Sequence, residues 1–215
     1  MQAGSSGRGR DFAARWADVV FTLQHAKSDM QAFYADVKAR MEQAGRKPAS
    51  CSILPGIDVV LGETESIAQE KAAYLGSLVD AEFGVAEMSN ATGSNLAGQD
   101  IDRTLSKLDL KEGARGMLDV ILQGSRLDAL TLREAGRRYG YTRMNPLLVG
   151  TPTMVADRMQ DLFESACCDG FILCPSLTPS GYESFCNSVV PELQRRGIFR
   201  TEYAGRTFAD HLREA

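Results

Sequence analysis

Short apolar runs of strand length alternate along this chain with amphipathic stretches of helix length, and this alternation constrains the fold more than any other feature. The first run is Ala17 to Phe21. A helix is predicted from Ser28, where Ser28 and Gln31 have capping-box spacing. Met30, Phe33, Val37 and Met41 share one face of that helix, and Gly45 suits the C′ position. The second run, "CSILPGIDVVLGET", is interrupted at Pro55-Gly56 and leads through Thr64 into a helix with Ile67, Leu75 and Leu78 inward. The third, "DGFILCP", follows a helix that Thr151 is placed to cap, with Pro152 at N1 and Val155, Met159, Leu162, Phe163 and Ala166 on its inner face. Buried strands separated by helices form right-handed βαβ units on a parallel sheet. Three strands and a stub before Gly4 amount to about half of an eight-stranded barrel of ~250 residues.

Two segments depart from the rhythm. From about 83 to 146 the chain reads as an insertion, with helical pieces around Met117 to Leu122 and Leu127 to Tyr139. From about 180 to 215 it reads as a closing helix and an arm. The net charge of −4, with 24 basic and 28 acidic residues well mixed, offers no basic face to a polyanion, so nucleic acid is not an expected partner. No apolar run approaches the roughly 20 residues that span a bilayer, and no apolar leader opens the chain; a cytoplasmic protein is expected. Five cysteines without CxxC spacing, and only His25 and His211 as histidines, argue against a disulfide framework and a metal site.

The strongest site signal is "AGSSGRG" at the N-terminus. Its small residues let backbone N–H groups approach an anion, Ser5 and Ser6 add hydroxyls, Arg8 adds charge, and a helix begins just beyond. A flexible linker has the same composition, but the tract passes without a break into a helix and a strand. Glu63 and Thr64 could reach the chemical face of a barrel, but Thr64 is better read as the cap of the next helix. Gly150-Thr151-Pro152 reads as a helix start, and Asp169-Gly170 as a turn into a strand. The chain shows no GxSxG, P-loop or HExxH pattern, and no residue stands out as catalytic.

Taken in order, "QAGSS", "GRDFAARWADVVFT", "LPGIDVVLGET", "VGTPTMVADRM", "DGFIL" and "VVPELQRRGIFRTEY" resemble the flavin-dependent monooxygenases of the nitrilotriacetate, pristinamycin and dibenzothiophene-sulfone group, within the bacterial luciferase-like family. The resemblance covers Gln2 to about Thr207. It implies an α/β fold that is the C-terminal portion of a TIM (β/α)8 barrel, with parallel strands and a helical insertion before the last strand, all in a single domain over 1–215. It implies reduced FMN delivered by a separate flavin reductase, and transfer of one atom of O₂ to a small organic substrate. In that family the Ser of "QAGSS" holds the FMN phosphate, which carries over to Gly4, Ser5 and Ser6 here. The family's remaining strands would lie upstream of Met1. Departures are Gly7 and Arg8, where an acidic or small residue is commoner, and the ending "GRTFADHLREA".

Two other readings remain open. A half barrel of this kind could be a non-catalytic piece that folds only with its missing N-terminal half or with a second copy as a homo-oligomer, or it could be an inactive remnant.

Overall fold

The computed structural model of the protein describes residues 1–4, 6–105, 130–143 and 145–213. Its five strands are all parallel: β1 (Gln2–Ala3), β2 (Val19–Thr22), β3 (Ser52–Leu61), β4 (Leu147–Gly150) and β5 (Ile172–Leu173). The register sets Gln2 against Val20, Val20 against Ile53, Val59 against Leu148 and Gly56 against Ile172. β3 is the hub of the sheet. The peptide joining Ile57 to Asp58 accepts from the Cys174 N–H at 2.8 Å and donates to Pro146 O at 2.9 Å. The two ends of one peptide point in opposite directions, so β5 and β4 flank β3 on opposite edges. Nearer its start, Ser52 N–H donates to Asp18 O while Ile53 O accepts from Asp169 N–H, both at 2.9 Å. β2 and β4 therefore follow one another along one edge of β3, and β5 takes the other.

This hub runs unbroken through Pro55-Gly56, correcting the expected interruption. Pro55 lies between Ile53 and Ile57, so the donor it lacks falls on the sparsely bonded β5 edge, where a proline is tolerated. Also unanticipated was β4, because its four residues are too few to establish a period. β5 is only two residues long and half-buried, where a fully buried strand was expected.

The longer helices are α1 (Gly7–Trp16), α2 (Lys27–Gln43), α3 (Glu65–Ser77), α4 (Ala81–Thr92), α5 (Leu132–Thr142) and α6 (Pro152–Glu164). α7 (Ser180–Ser184), a π turn over Phe185–Val189 and α8 (Val190–Arg195) form one continuous helical stretch, and α9 (Phe208–Arg213) ends the described chain. Ala13 and Ala14 of α1 and Phe33, Val37 and Met41 of α2 bury against Val20, Cys51 and Ile53. Each large side chain sealed there stabilises the fold by ~1.5–3 kcal/mol. A second layer sets Val155, Ala156 and Met159 of α6 and Leu193 of α8 against Ile57, Val59 and Leu148. Arg46 closes the end of α1 by donating to Ala14 O at 3.1 Å and Ala17 O at 2.9 Å, placing a cation on carbonyls at the negative end of the helix.

Several helical details differ from expectation. α2 begins at Lys27 with Ala26 at its N-cap and no side-chain cap, so Ser28 lies inside the first turn and forms no capping box. α3 is capped by Thr64 but buries Ala68 and Ala72, leaving Ile67 and Leu78 exposed. Phe163 of α6 is exposed as well. Within the segment read as an insertion, α4 and α5 cross closely and enclose Val85, Met88, Leu96, Leu105, Leu132 and Tyr139. The crossing needs glycine: a Cβ on Gly136 would lie 2.6 Å from Ala81 O and 2.6 Å from Val85 Cγ2. The helical pieces expected from Met117 to Leu122 and in the first residues after Leu127 lie outside the described residues.

Candidate functional site

Residue parity on the strands decides which side chains reach a ligand. Val20, Cys51, Ile53, Ile57 and Val59 point outward into the helical layers. The alternate residues Phe21, Leu54, Gly56, Asp58, Ile172 and Cys174 therefore line the inner face of the sheet. Phe21, Leu54, Ile172 and Cys174 are only half-buried there, so a ligand can approach that face.

At the first strand-to-helix junction, Ser6 has extended backbone (φ −68°, ψ 157°) and caps α1, its Oγ accepting from Gly9 N–H at 3.1 Å. This leaves first-turn amides of α1 without intrahelical acceptors, at the positive end of the helix. Gly4 and Gly9 keep the junction narrow: a Cβ on Gly9 would lie 3.2 Å from both Gly4 O and Ser6 Oγ, and one on Gly4 would lie 2.6 Å from Gln2 Nε2. Gln2 thus tucks its amide beneath the loop, with Oε1 buried and without a hydrogen-bond partner among the described residues. Ser6 and Arg8 are exposed, whereas Arg10 turns away to Asp36 at 2.8 Å. The structure brings Gly4 and Ser6 together; Ser5 lies outside the described residues. A phosphate fits this junction, because small residues, a hydroxyl and free N–H groups converge where a Cβ would intrude.

A second group, missed in the sequence, gathers at the C-terminal ends of β3 and β5. Asp58 is 3% exposed, and its Oδ1 accepts from the Ser176 amide at 3.1 Å and from the Ser176 hydroxyl at 3.0 Å. Burial holds its carboxyl above the usual aspartate range, and the Ser176 hydrogen bonds only partly offset this. The last turn of α5 adds Tyr141, and the segment after it adds Asn145. The Tyr141 hydroxyl and Asn145 Oδ1 are both buried, and neither atom makes a hydrogen bond of good geometry among the described residues, although the Ser176 hydroxyl lies beside Tyr141. Burial and the nearby Asp58 charge push up the pKa of Tyr141 and of Cys174, although the Ser176 hydroxyl beside Tyr141 and the Asn145 amide beside Cys174 lower them. The signal available was a carboxylate inside an otherwise apolar strand, "GIDVVL".

Beyond the end of β2, His25 has a lowered pKa, first through burial and then through Arg138, with Asp29 opposing. Its Nε2 and Asp29 Oδ2 are buried without a hydrogen-bond partner among the described residues. Burial thus favours the neutral form of the His25 imidazole, just beyond the end of β2.

Other singled-out residues are structural. Thr64 and Thr151 each cap a helix, accepting from Ile67 N–H and Met154 N–H at 3.3 Å. Asp169 does more than turn the chain: it binds Tyr34 Oη, Lys38 Nζ and the Ile53 amide, each at 2.8 Å. Cys51, Cys167 and Cys168 are buried free thiols, Cys174 is half-buried and Cys186 is exposed. No metal-ligating cluster occurs among the described residues. No helix among them is long and apolar enough to cross a membrane.

Comparison with known proteins adds an independent line. A luciferase-like monooxygenase family model matches residues 1–169. Dibenzothiophene-sulfone monooxygenase of Rhodococcus erythropolis is 42% identical over 217 residues, covering 99% of this chain and 48% of that protein. Nitrilotriacetate monooxygenase component A of Aminobacter aminovorans is 42% identical over 215 residues, covering 99% and 47%. Among solved structures, a riboflavin lyase determined with modified FMN and riboflavin superposes with a TM-score of 0.82 at 25% identity, over 99% of this chain and 46% of that one. The chain spans about half the length of the curated relatives it matches.

Proposed function

The chain belongs to the luciferase-like monooxygenase family, and on that premise we propose that it is the C-terminal portion of a TIM-barrel, FMN-dependent monooxygenase of the two-component kind. Residues 1–215 form one luciferase-like unit, with an insertion over about 83–146 and a terminal helix and arm over about 180–215. Reduced FMN arrives from a separate flavin reductase, and the substrate is a small organic molecule. When bound, the flavin supplies the oxygen chemistry, and the protein supplies binding, orientation and shelter from water.

The observation that carries this reading is the junction of β1 and α1. Gly4, Ser5 and Ser6 hold the phosphate: N–H groups at the helix start meet its negative charge, and the hydroxyls add short charge-assisted hydrogen bonds. Arg8, exposed in the first turn, contributes long-range attraction. A phosphate held here directs the rest of a flavin toward the half-exposed inner face, where Phe21, Leu54 and Ile172 offer an apolar wall. His25, Asp58, Tyr141 and Cys174 are titratable groups near that region, each partly withdrawn from bulk water.

Titration of the chain with FMN, followed by flavin fluorescence, tests the reading. Saturable quenching that inorganic phosphate competes away, and that Ser5→Ala/Ser6→Ala weakens by about tenfold, is the expected result. Quenching indifferent to both would remove the phosphate loop from the proposal. The half-exposed inner face also favours a second reading, a non-catalytic half that binds flavin only after joining a complementary half barrel. In that case the soluble chain alone shows no quenching.

A further inference from the structure

The polar group at the ends of β3 and β5 has a composition that selects ligands by charge. We infer that Asp58, Tyr141, Asn145 and Ser176 form a substrate-binding subsite for a neutral polar group that donates one hydrogen bond and accepts another, such as a carboxamide, and that the subsite rejects carboxylates. This rests on the reading of the chain as an oxygenase of small organic molecules, and it names the class of substrate that such a site takes.

The hydrogen-bonding inventory supports the assignment. Asn145 is 8% exposed, and its Oδ1 is an acceptor without a donor. It lies on the inner face over Gly56, where a Cβ would collide with it, and where the Phe21 ring edge would stand 3.0 Å from that Cβ. The Tyr141 hydroxyl is also buried; the Ser176 hydroxyl beside it lowers its pKa, the effect of a donor, and among the described residues no acceptor of good geometry takes the Tyr141 proton. An unmet acceptor and an unmet donor in one apolar surrounding each carry a desolvation cost that a ligand presenting N–H beside C=O would relieve. The half-exposed Phe21, Leu54 and Ile172 can accept the apolar body of that ligand.

Charge decides against an anion. Asp58 is sealed at the centre of the group and, among the described residues, hydrogen-bonds to Ser176 and to no cation. A second carboxylate brought beside it faces like-charge repulsion in a low-dielectric setting, whereas a neutral amide does not. Asn145 Oδ1 would also face an acceptor where it needs a donor.

Benzamide and benzoate form the test pair, since they share a ring and differ at the polar group. Binding of each to the full 215-residue chain is measured by calorimetry and by saturation transfer from protein to ligand. Benzamide is expected to bind at least about tenfold more tightly than benzoate, and both Asn145→Ala and Tyr141→Phe to weaken benzamide by about tenfold. Asp58→Asn is expected to bring benzoate to within about threefold of benzamide, because it removes the like charge. Tyr141→Phe keeps the ring and its packing, so it remains informative if Asn145→Ala fails to fold. Equal binding of the two probes to the unmodified chain, binding of neither, or a benzamide affinity unchanged in the variants would overturn the inference. An FMN titration on the same samples separates this from the flavin reading: the subsite variants leave the phosphate loop intact, so loss of FMN binding with amide selectivity preserved would count against the flavin alone.

Discussion

Two aspartates show how far a residue's meaning depends on its surroundings. In the sequence Asp169 is a turn residue before a strand; in the fold it accepts from Tyr34, Lys38 and the Ile53 amide and ties α2 to the start of β3. Its partner Lys38 is only 12% exposed. Asp169→Asn keeps the shape but leaves that ammonium without its counter-charge, and a loss of about 2 kcal/mol is expected in urea unfolding. Asp58 behaves in the opposite sense. An acid whose folded pKa lies above its unfolded value binds more protons in the folded state. The stability it contributes is complete below the ordinary value of 3.8 and is lost as pH rises through the folded pKa. Asp58→Asn keeps an acceptor for Ser176 and removes this dependence. Urea unfolding from about pH 4 to 8 should therefore show the variant gaining stability relative to the parent as pH rises. A difference that stays flat with pH would mean that Asp58 is not desolvated in solution.

At the scale of elements, capping grammar was more legible than the choice of buried face. Thr64 and Thr151 cap the helices they were expected to cap, because a cap is a local hydrogen bond between residues three apart. The inward face of α3 was misread, since Ile67 and Leu78 are exposed while Ala68 and Ala72 are buried. The helix approaches the sheet closely along its alanines, and hydrophobic periodicity favours large residues over small ones. The α4–α5 crossing is a further case. Gly136→Ala would gain about 1 kcal/mol of helix propensity, but its methyl would meet the backbone at Ala81 O and the Val85 side chain, an overpacking cost of ~1–3 kcal/mol. Backbone cannot move aside as a side-chain tip can, so a net loss of about 1–2 kcal/mol is expected. Thermal unfolding of the variant measures it, and a stabilised variant would mean that the helices separate easily.

At the scale of the whole molecule, apolar surface is presented to solvent. Its inner face is half-exposed, and α1 shows Phe12 at 57% and Trp16 at 72% exposure beside the short strand β1. Trp16 is the single tryptophan of the chain, so its emission reports that surface alone. Association is expected to grow with concentration in analytical ultracentrifugation, with a blue shift of the emission as the indole leaves water. Trp16→Lys should reduce the association. Concentration-independent sedimentation with red emission would show the surface to be tolerated in water.

The β/α alternation, the helix starts at Thr64 and Thr151 and the glycine-serine junction at Gly4 and Ser6 were determined by the sequence itself, because each depends on residues a few positions apart. The resemblance carried by its separated segments pointed to the family. Only the tertiary structure decided the rest. Asp58, the segment from Tyr141 to Asn145, and Ser176 are far apart along the chain and meet because β3 brings β4 to one edge and β5 to the other. That convergence is a property of strand order and register, in which every contact joins distant segments, and no local pattern along the chain records it.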